Sequence, residues 1–240
     1  MTSTTSPVAV ITGASRGLGR ALAAALAGRG WHLIIDARDP DPLAATAAEL
    51  SRTTQVTALP GDVADPAHRR ALAAAVARAG RLDLLVNNAS LLGPSPLPAL
   101  AEHPLDALEQ VYAVNALAPL AMLQLLLPPL RRTGGRLVNV SSDAAVEAYA
   151  GWGGYGSAKA ALEALTAVLA VELPDLRVYA VDPGDLRTAM HQAAFPGEDI
   201  SDRPQPDTVV PAFLRLVEGD LPSGRYRAAD LRAAPAAVTR

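Results

Sequence analysis

Six short apolar runs, each followed by a stretch that can form a helix, succeed one another along this chain, and that alternation leaves few folds open. The first run is "VAVIT" (8–12). The glycine-bearing "GASRGLGRALAAALAGRG" then turns and continues as an Ala/Leu helix stopped by Gly28 and Gly30. "HLIID" precedes a helix near 40–51, "QVTAL" one near 66–79, and "LDLLVNNA" a long helical stretch ending near Arg132. "RLVNVSS" leads to a helix from about Tyr155 to Leu173. "RVYAVDPG" is followed by a last helix in "VVPAFLRLVEG" and a closing strand in "GRYRAADL". Strands joined through helices pair in parallel, because only a crossover returns the chain to the same end of the sheet. Continuous apolar strands are buried on both sides. The expectation is an α/β fold: a doubly wound, mostly parallel sheet of about seven strands with helices on both faces.

At 240 residues, half of them hydrophobic and without a compositional break, the chain has the length of one domain, 1–240. The net charge is −3 and the arginines are interspersed with acids, so neither nucleic acid nor an anionic membrane surface is an expected partner. No apolar run has the length of a membrane span, and "MTSTTSPVAVITG" lacks the basic segment and long apolar core of a signal peptide. A cytoplasmic protein is expected. Without cysteine there is neither disulfide nor thiol nucleophile. His32, His68, His103 and His191 show no paired-ligand spacing, and no metal site is expected.

In such sheets ligands bind beyond the carboxyl ends of the strands. The first such end is "TGASRGLG" (12–19), where Gly13, Gly17 and Gly19 let the backbone turn tightly and approach an anion seated at the start of the next helix. The spacing G-x-x-x-G-x-G differs from G-x-G-x-x-G, and no G-x-x-x-x-G-K-[ST] occurs, so a dinucleotide fits better than a nucleoside triphosphate.

With the later strand ends, this loop resembles the short-chain dehydrogenase/reductase family, whose members have a Rossmann-like fold, a TGxxxGxG loop, an NNAG-like segment and a Tyr-x-x-x-Lys pair. The corresponding residues run from about Val8 to Thr188: Asp62-Val63, "NNAS" (87–90), Asn115, Ser142, "YGSAK" (155–159) and "PGDLRT" (183–188). Ser90 stands where the family usually has glycine. The resemblance implies a nicotinamide cofactor seated by Gly13, Ser15, Arg16, Gly17, Leu18, Gly19, Arg38, Asp62, Val63, Asn88, Ala89, Tyr155, Lys159, Pro183, Gly184, Leu186 and Thr188. It implies a catalytic set of Asn115, Ser142, Tyr155 and Lys159, with Asn115 anchoring a water that links Lys159 to solvent and Lys159 bonding the nicotinamide ribose.

The residues support that chemistry independently. Tyr155 and Lys159 lie one helical turn apart and share a face. An ammonium close by favours the phenolate and lowers a pKa that is ordinarily about 10, so Tyr155 is the expected proton donor to a carbonyl oxygen or acceptor from an alcohol. Lys159 is the one lysine beside twenty arginines, which points to a site that needs a compact ammonium instead of a planar fork. Ser142 ends a strand aimed at the same crevice, where its hydroxyl can steady the substrate oxygen. A serine-hydrolase reading fails at Ser142, because no G-x-S-x-G elbow surrounds it and no histidine is placed persuasively as its base.

Asp36, at the end of the second strand, argues for NAD. Counted from Gly19, however, the family's NAD-selecting acid falls on Ala37, which leaves Asp36 on the opposite strand face. Arg38 and Arg16 tilt the expectation to NADP(H) over NAD(H). The expected substrate is a small, mainly apolar carbonyl compound or alcohol, bordered by Leu91, Leu92, Val146, Trp152, Met190 and Phe195, with a mobile substrate loop at about 186–207. Ala/Leu-rich surfaces on the stretches 106–132 and 155–173 suggest association, and the resemblance implies a homo-oligomer, dimer or tetramer. The alternative reading is a nucleotide-sensing regulatory protein of the same fold without turnover.

Overall fold

The computed structural model describes residues 6–232, so the ends of the expected domain, 1–5 and 233–240, lie outside them. The apolar runs form strands β1 (Val8–Ile11), β2 (His32–Ala37), β3 (Val56–Pro60), β4 (Leu84–Asn87), β5 (Arg136–Val140), β6 (Arg177–Asp182) and β7 (Gly224–Arg227). They make one sheet in the order β3-β2-β1-β4-β5-β6-β7, with all six pairings parallel. The helices are α1 (Gly17–Ala27), α2 (Pro40–Leu50), α3 (Pro66–Ala79), α4 (Leu105–Tyr112), α5 (Ala118–Thr133), α6 (Gly153–Glu172), α7 (Ala189–Ala194), α8 (Val210–Glu218) and α9 (Ala228–Arg232).

Local sequence sets the boundaries. Asp39 and Asp65 cap α2 and α3 by accepting from Asp41 N and Ala67 N, and each is followed by a proline whose missing N–H would have been unpaired in any case. α3 and α5 stop where Gly80 and Gly134 adopt left-handed backbone, with φ of 80° and 61°. Alternate residues of β1 then serve opposite layers. Ala9 and Ile11 pack with Leu22 and Leu26 of α1 and Phe213 of α8, and Val8 and Val10 with Leu72 of α3 and Leu126 of α5. The chain runs outward from β1 through β2 and β3, then returns to β4 on the other side of β1. That reversal opens a crevice beyond the β1 and β4 carboxyl ends.

The structure amends three sequence expectations. "GRYRAADL" is strand β7 followed at once by α9, because only its first four residues pair with β6. Within the expected loop at 186–207, Thr188 accepts from His191 N and starts the short helix α7. The long stretch is helical from Leu105 to Thr133 through a π turn at Ala113–Leu117, which makes it long and apolar enough to cross a membrane by length and composition. Half of its most apolar window is buried within the fold, as in a core helix.

Candidate active site

The crevice is built by polar stitches between strand ends. Thr12, just past β1, accepts the backbone N–H groups of Asn88 and Ala89 on its hydroxyl, each at 3.0 Å. The Asn88 amide donates back to the carbonyls of Thr12 (2.8 Å) and Gly13 (3.1 Å). Asn87 continues the pattern inward, donating to Asn139 Oδ1 at 2.8 Å, and Asn139 donates to the Thr166 hydroxyl of α6 at 2.8 Å. These three asparagines thus have defined partners, which buried amides require. These bonds fix the loops after β1, β4 and β5 in one register around a cleft of about 1610 Å³.

One end of the cleft is the candidate anion seat. Gly13, Ser15, Arg16, Gly17 and Leu18 line it. Arg16 precedes α1 in extended backbone without a side-chain cap, and no acid occupies the first turn, so the helix presents unpaired N–H groups and its positive end. Gly19 works differently. It lies beneath the loop, where a Cβ would come 2.5 Å from both Gly13 O and Asn88 Nδ2. Ala37, Arg38, Asp62, Val63, Asn88 and Ala89 continue the wall, and Pro183, Gly184, Leu186 and Thr188 face it from the β6 end. Asp36 is 1% exposed: one carboxylate oxygen accepts Gly13 N at 2.8 Å and the other bonds His68 Nε2 at 3.0 Å. Its carboxylate is therefore spent on holding the glycine loop. Among the described residues neither Arg16 nor Arg38 has a side-chain partner, so two guanidiniums stand available at this end. The uncapped helix start and these arginines fit a dinucleotide phosphate.

The other end holds the candidate catalytic groups. α6 carries Tyr155 and Lys159 into the cleft. It comes close to the turn at Asp143–Ala145 because residue 156 is glycine, where a Cβ would lie 2.5 Å from the Ala144 carbonyl oxygen. That contact sets Tyr155 beside Ser142, whose hydroxyl donates to Asp143 Oδ1 at 2.9 Å and accepts Ala144 N at 3.2 Å. Lys159 is 2% exposed and donates to the Val140 carbonyl at 2.7 Å, with Nζ 5.5 Å from the centre of the Tyr155 ring. Asn115, fully buried in the π turn, does not line the cleft. Its amide oxygen accepts Leu91 N at 2.8 Å and the Ser90 hydroxyl at 3.2 Å, while its amide nitrogen donates to Leu91 O at 2.8 Å.

Burial dominates the electrostatics. It pushes the Tyr155 phenol up to about 12; the Ser90 and Ser142 hydroxyls favour the anion, and the Asp143 and Asp182 carboxylates oppose it. Burial brings Lys159 down to about 8, against the attraction of Glu163. The sequence expectation that the ammonium lowers the phenol is therefore reversed: desolvation outweighs an ammonium engaged with Val140. At neutral pH this pair is a neutral phenol beside a cation.

Leu91, Leu92, Trp152, Met190 and Phe195 form the apolar wall near Tyr155. The Trp152 ring meets Tyr155 edge to face at 5.7 Å and Phe195 at 6.0 Å. Val146 does not join them; it is 59% exposed outside the cleft. Sequence reasoning missed Thr12, Asp143, Thr166 and the Ser141–Glu163–Arg225 group, in which Glu163 accepts the Ser141 hydroxyl and Arg225 Nε (2.9 Å) and so ties α6 to β5 and β7. Glu163 was signalled by its spacing of four from Lys159, which sets it on the same helix face.

Residues 7–199 match the family model described as short chain dehydrogenase. The chain is 34% identical over 220 residues to the uncharacterized oxidoreductase YciK of Escherichia coli, a match covering 89% of this chain and 86% of that one. It is 37% identical over 147 residues to a rhamnolipids biosynthesis 3-oxoacyl-(acyl-carrier-protein) reductase of Pseudomonas aeruginosa, covering 59% of this chain and only 56% of that protein. The fold superposes with a TM-score of 0.83 and 31% identity on an alcohol dehydrogenase from Thermococcus sibiricus complexed with 5-hydroxy-NADP, covering 92% of this chain and 95% of the other. Sheet order, cleft and sequence agree: the chain belongs to the short-chain dehydrogenase family of oxidoreductases.

Proposed function

We propose that this chain is an NADP-preferring carbonyl reductase or alcohol dehydrogenase, acting on a small, mainly apolar substrate. The observation that carries the reading is a buried phenol held neutral, with a hydroxyl and an ammonium around it, at the apolar end of a cleft whose other end suits phosphate. A bound nicotinamide supplies or accepts the hydride. The chain's own groups manage the proton: the Tyr155 O–H bond breaks toward the substrate oxygen in reduction and re-forms from the alcohol in oxidation. Ser142 steadies that oxygen. Lys159 adds positive charge next to the phenol and, as the family resemblance implies, would bond the ribose of a bound cofactor, and Asn115 holds the Ser90–Leu91 segment against the site, beside the water relay that the same resemblance implies.

Preference for NADP(H) is supported by Asp36 being spent on Gly13 and His68, by the two unpartnered arginines, and by the NADP analogue in the Thermococcus relative. The wall of Leu92, Trp152, Met190 and Phe195 supports an apolar substrate, with the 186–207 segment, which carries Met190 and Phe195, closing over it. Exposed apolar residues on α4, α5 and α6, such as Leu105 (74%) and Val171 (80%), support a homo-oligomer. A cytoplasmic location accords with a cysteine-free chain.

The test is a panel of ketones, aldehydes and alcohols assayed with NADPH, NADH and their oxidised forms. Tyr155→Phe should abolish turnover while NADPH still binds; undiminished turnover would refute the assignment, and binding without turnover in the wild type would favour a nucleotide sensor. The kcat/KM with NADPH should exceed that with NADH, and Arg38→Asp should narrow or reverse the gap. Equal use by the wild type would remove the case for NADP.

A further inference from the structure

An acid at the end of the second strand of such a sheet ordinarily bonds the ribose hydroxyls of NAD, and Asp36 stands near the end of β2 on the wall of the cleft, beside Ala37 and Arg38. Its carboxylate is nonetheless buried and bonded on both oxygens. One accepts Gly13 N at 2.8 Å, and the other is 3.0 Å from Nε2 of His68, on α3. A carboxylate only accepts, so Nε2 carries the proton of that bond. His68 is itself 8% exposed and outside the cleft lining. Gly61 makes room for its ring, since a Cβ there would fall 2.2 Å from Nδ1. Gly61 N in turn donates to the Ala37 carbonyl at 2.9 Å, so the end of β2, the loop after β3 and α3 meet around this one carboxylate. Burial disfavours the Asp36 anion, and the bonds from His68 and Gly13 oppose that effect. We propose that His68 is a positioning residue that determines cofactor choice: its Nε2–H holds the Asp36 carboxylate on the glycine loop, which lets a chain with an acid at this strand end accept a 2′-phosphate.

Without that donor one carboxylate oxygen is left buried and unpaired, at a cost that is larger for a charged group than for a neutral one. The open relief is rotation toward the cleft that Asp36 already lines. Rotation gives up the Gly13 N–H and loosens the phosphate loop for either dinucleotide. It also puts an anion into the cleft, where it repels the 2′-phosphate of NADP and accepts a ribose hydroxyl of NAD. NADP loses on both counts, whereas NAD loses on one and gains on the other.

This inference rests on the proposed preference for NADP(H), which the wild type tests in the same experiment. Isothermal titration calorimetry of NADP+ and NAD+ into each protein reads the two dissociation constants without turnover. In His68→Leu the constant for NADP+ should rise at least about tenfold and that for NAD+ by less than about threefold. His68→Asn, whose amide is too short to reach Asp36, should behave alike and carries the test if the leucine variant does not fold. His68→Gln, whose amide N–H can replace Nε2–H, should keep the wild-type ratio. His68→Leu combined with Asp36→Ala removes the freed anion with its partner and should regain the preference for NADP+. A ratio unchanged in His68→Leu and His68→Asn, lowered equally in His68→Gln, or still lowered in the double variant would overturn the inference and leave the function standing. A wild type that binds NADP+ no more tightly than NAD+ would remove the cofactor preference itself, and the role of His68 with it.

Discussion

Replacing Lys159 by methionine should stabilise the protein while abolishing its chemistry, and the gain should vanish at high pH. The ammonium is 2% exposed with the Val140 carbonyl as its one hydrogen-bond partner among the described residues, and burial lowers its pKa from 10.5 to about 8. Each pKa unit is worth 1.36 kcal/mol, so at pH 7 the buried charge costs the fold about 3 kcal/mol relative to the unfolded chain. Methionine has similar length and no charge. Against that gain stands the Val140 carbonyl left with one bond fewer, a loss of about 1 kcal/mol. The net expectation is about 2 kcal/mol of stabilisation at pH 7. Between pH 8 and 10.5 the folded chain has released a proton that the unfolded chain still holds, so unfolding takes one up and wild-type stability rises with pH through that window. Urea unfolding of both proteins at pH 7, 8, 9 and 10, followed by far-ultraviolet circular dichroism, measures the difference directly and cancels groups common to both. The advantage of Lys159→Met should shrink by about 2–3 kcal/mol between pH 7 and 10. A variant less stable than the wild type at pH 7, or a difference independent of pH, would refute the picture of a charge held in place at the expense of stability.

Three further perturbations probe the same site. Gly156→Ala puts a Cβ 2.5 Å from the Ala144 carbonyl and pushes α6 off the turn after β5; stability should fall by about 1–3 kcal/mol in urea unfolding, and kcat by at least about tenfold, as Tyr155 leaves Ser142. Asp143→Asn removes a carboxylate that holds the phenol up, so the pH rise of alcohol oxidation should move to lower pH, read from kcat profiles of the two proteins. Lys159→Arg keeps the charge but brings five N–H donors into a pocket that offers one carbonyl; turnover should fall at least about a hundredfold with a lower thermal midpoint, and normal activity would mean the lone lysine is incidental.

The order of strands and helices was legible because each buried strand is a continuous apolar run and each helix carries its own start and stop, as with Asp39-Pro40 and Gly80. The strand-end motifs were legible for a related reason: a doubly wound sheet brings distant strand ends to one edge, so position in the alternation locates a residue before any contact is known. Contacts between elements were less accessible. Thr12 reads as an unremarkable residue beside a glycine, and only the register of β1 against β4 makes its hydroxyl the acceptor for two backbone groups of the next motif. Val146 was misjudged for the converse reason. Six residues past the end of β5 is still near the cleft in sequence, yet the turn at Asp143–Ala145 carries the chain outward. Asp36 could be put on the correct strand face by counting, but its bonds to Gly13 and His68 join three separate segments, and no local pattern announces them.

The electrostatics were the least legible part, because a pKa depends on how much water is removed as well as on which charges are near. Sequence spacing sets Lys159 beside Tyr155 and suggests a lowered phenol. The folded site instead raises it to about 12, since both groups are buried and two carboxylates, Asp143 and Asp182, face the phenol. A phenol held neutral is suited to giving a proton, the role that carbonyl reduction requires. Oxidation requires the phenolate, which gains stability only when positive charge or added donors reach that oxygen. The ammonium at 5.5 Å from the ring is engaged with Val140, while the Ser90 and Ser142 hydroxyls favour the anion, so the positive charge of an oxidised cofactor would add to theirs. The two directions of reaction should therefore differ in pH dependence more than the shared residues suggest: reduction flat across neutrality, oxidation rising steadily toward alkaline pH.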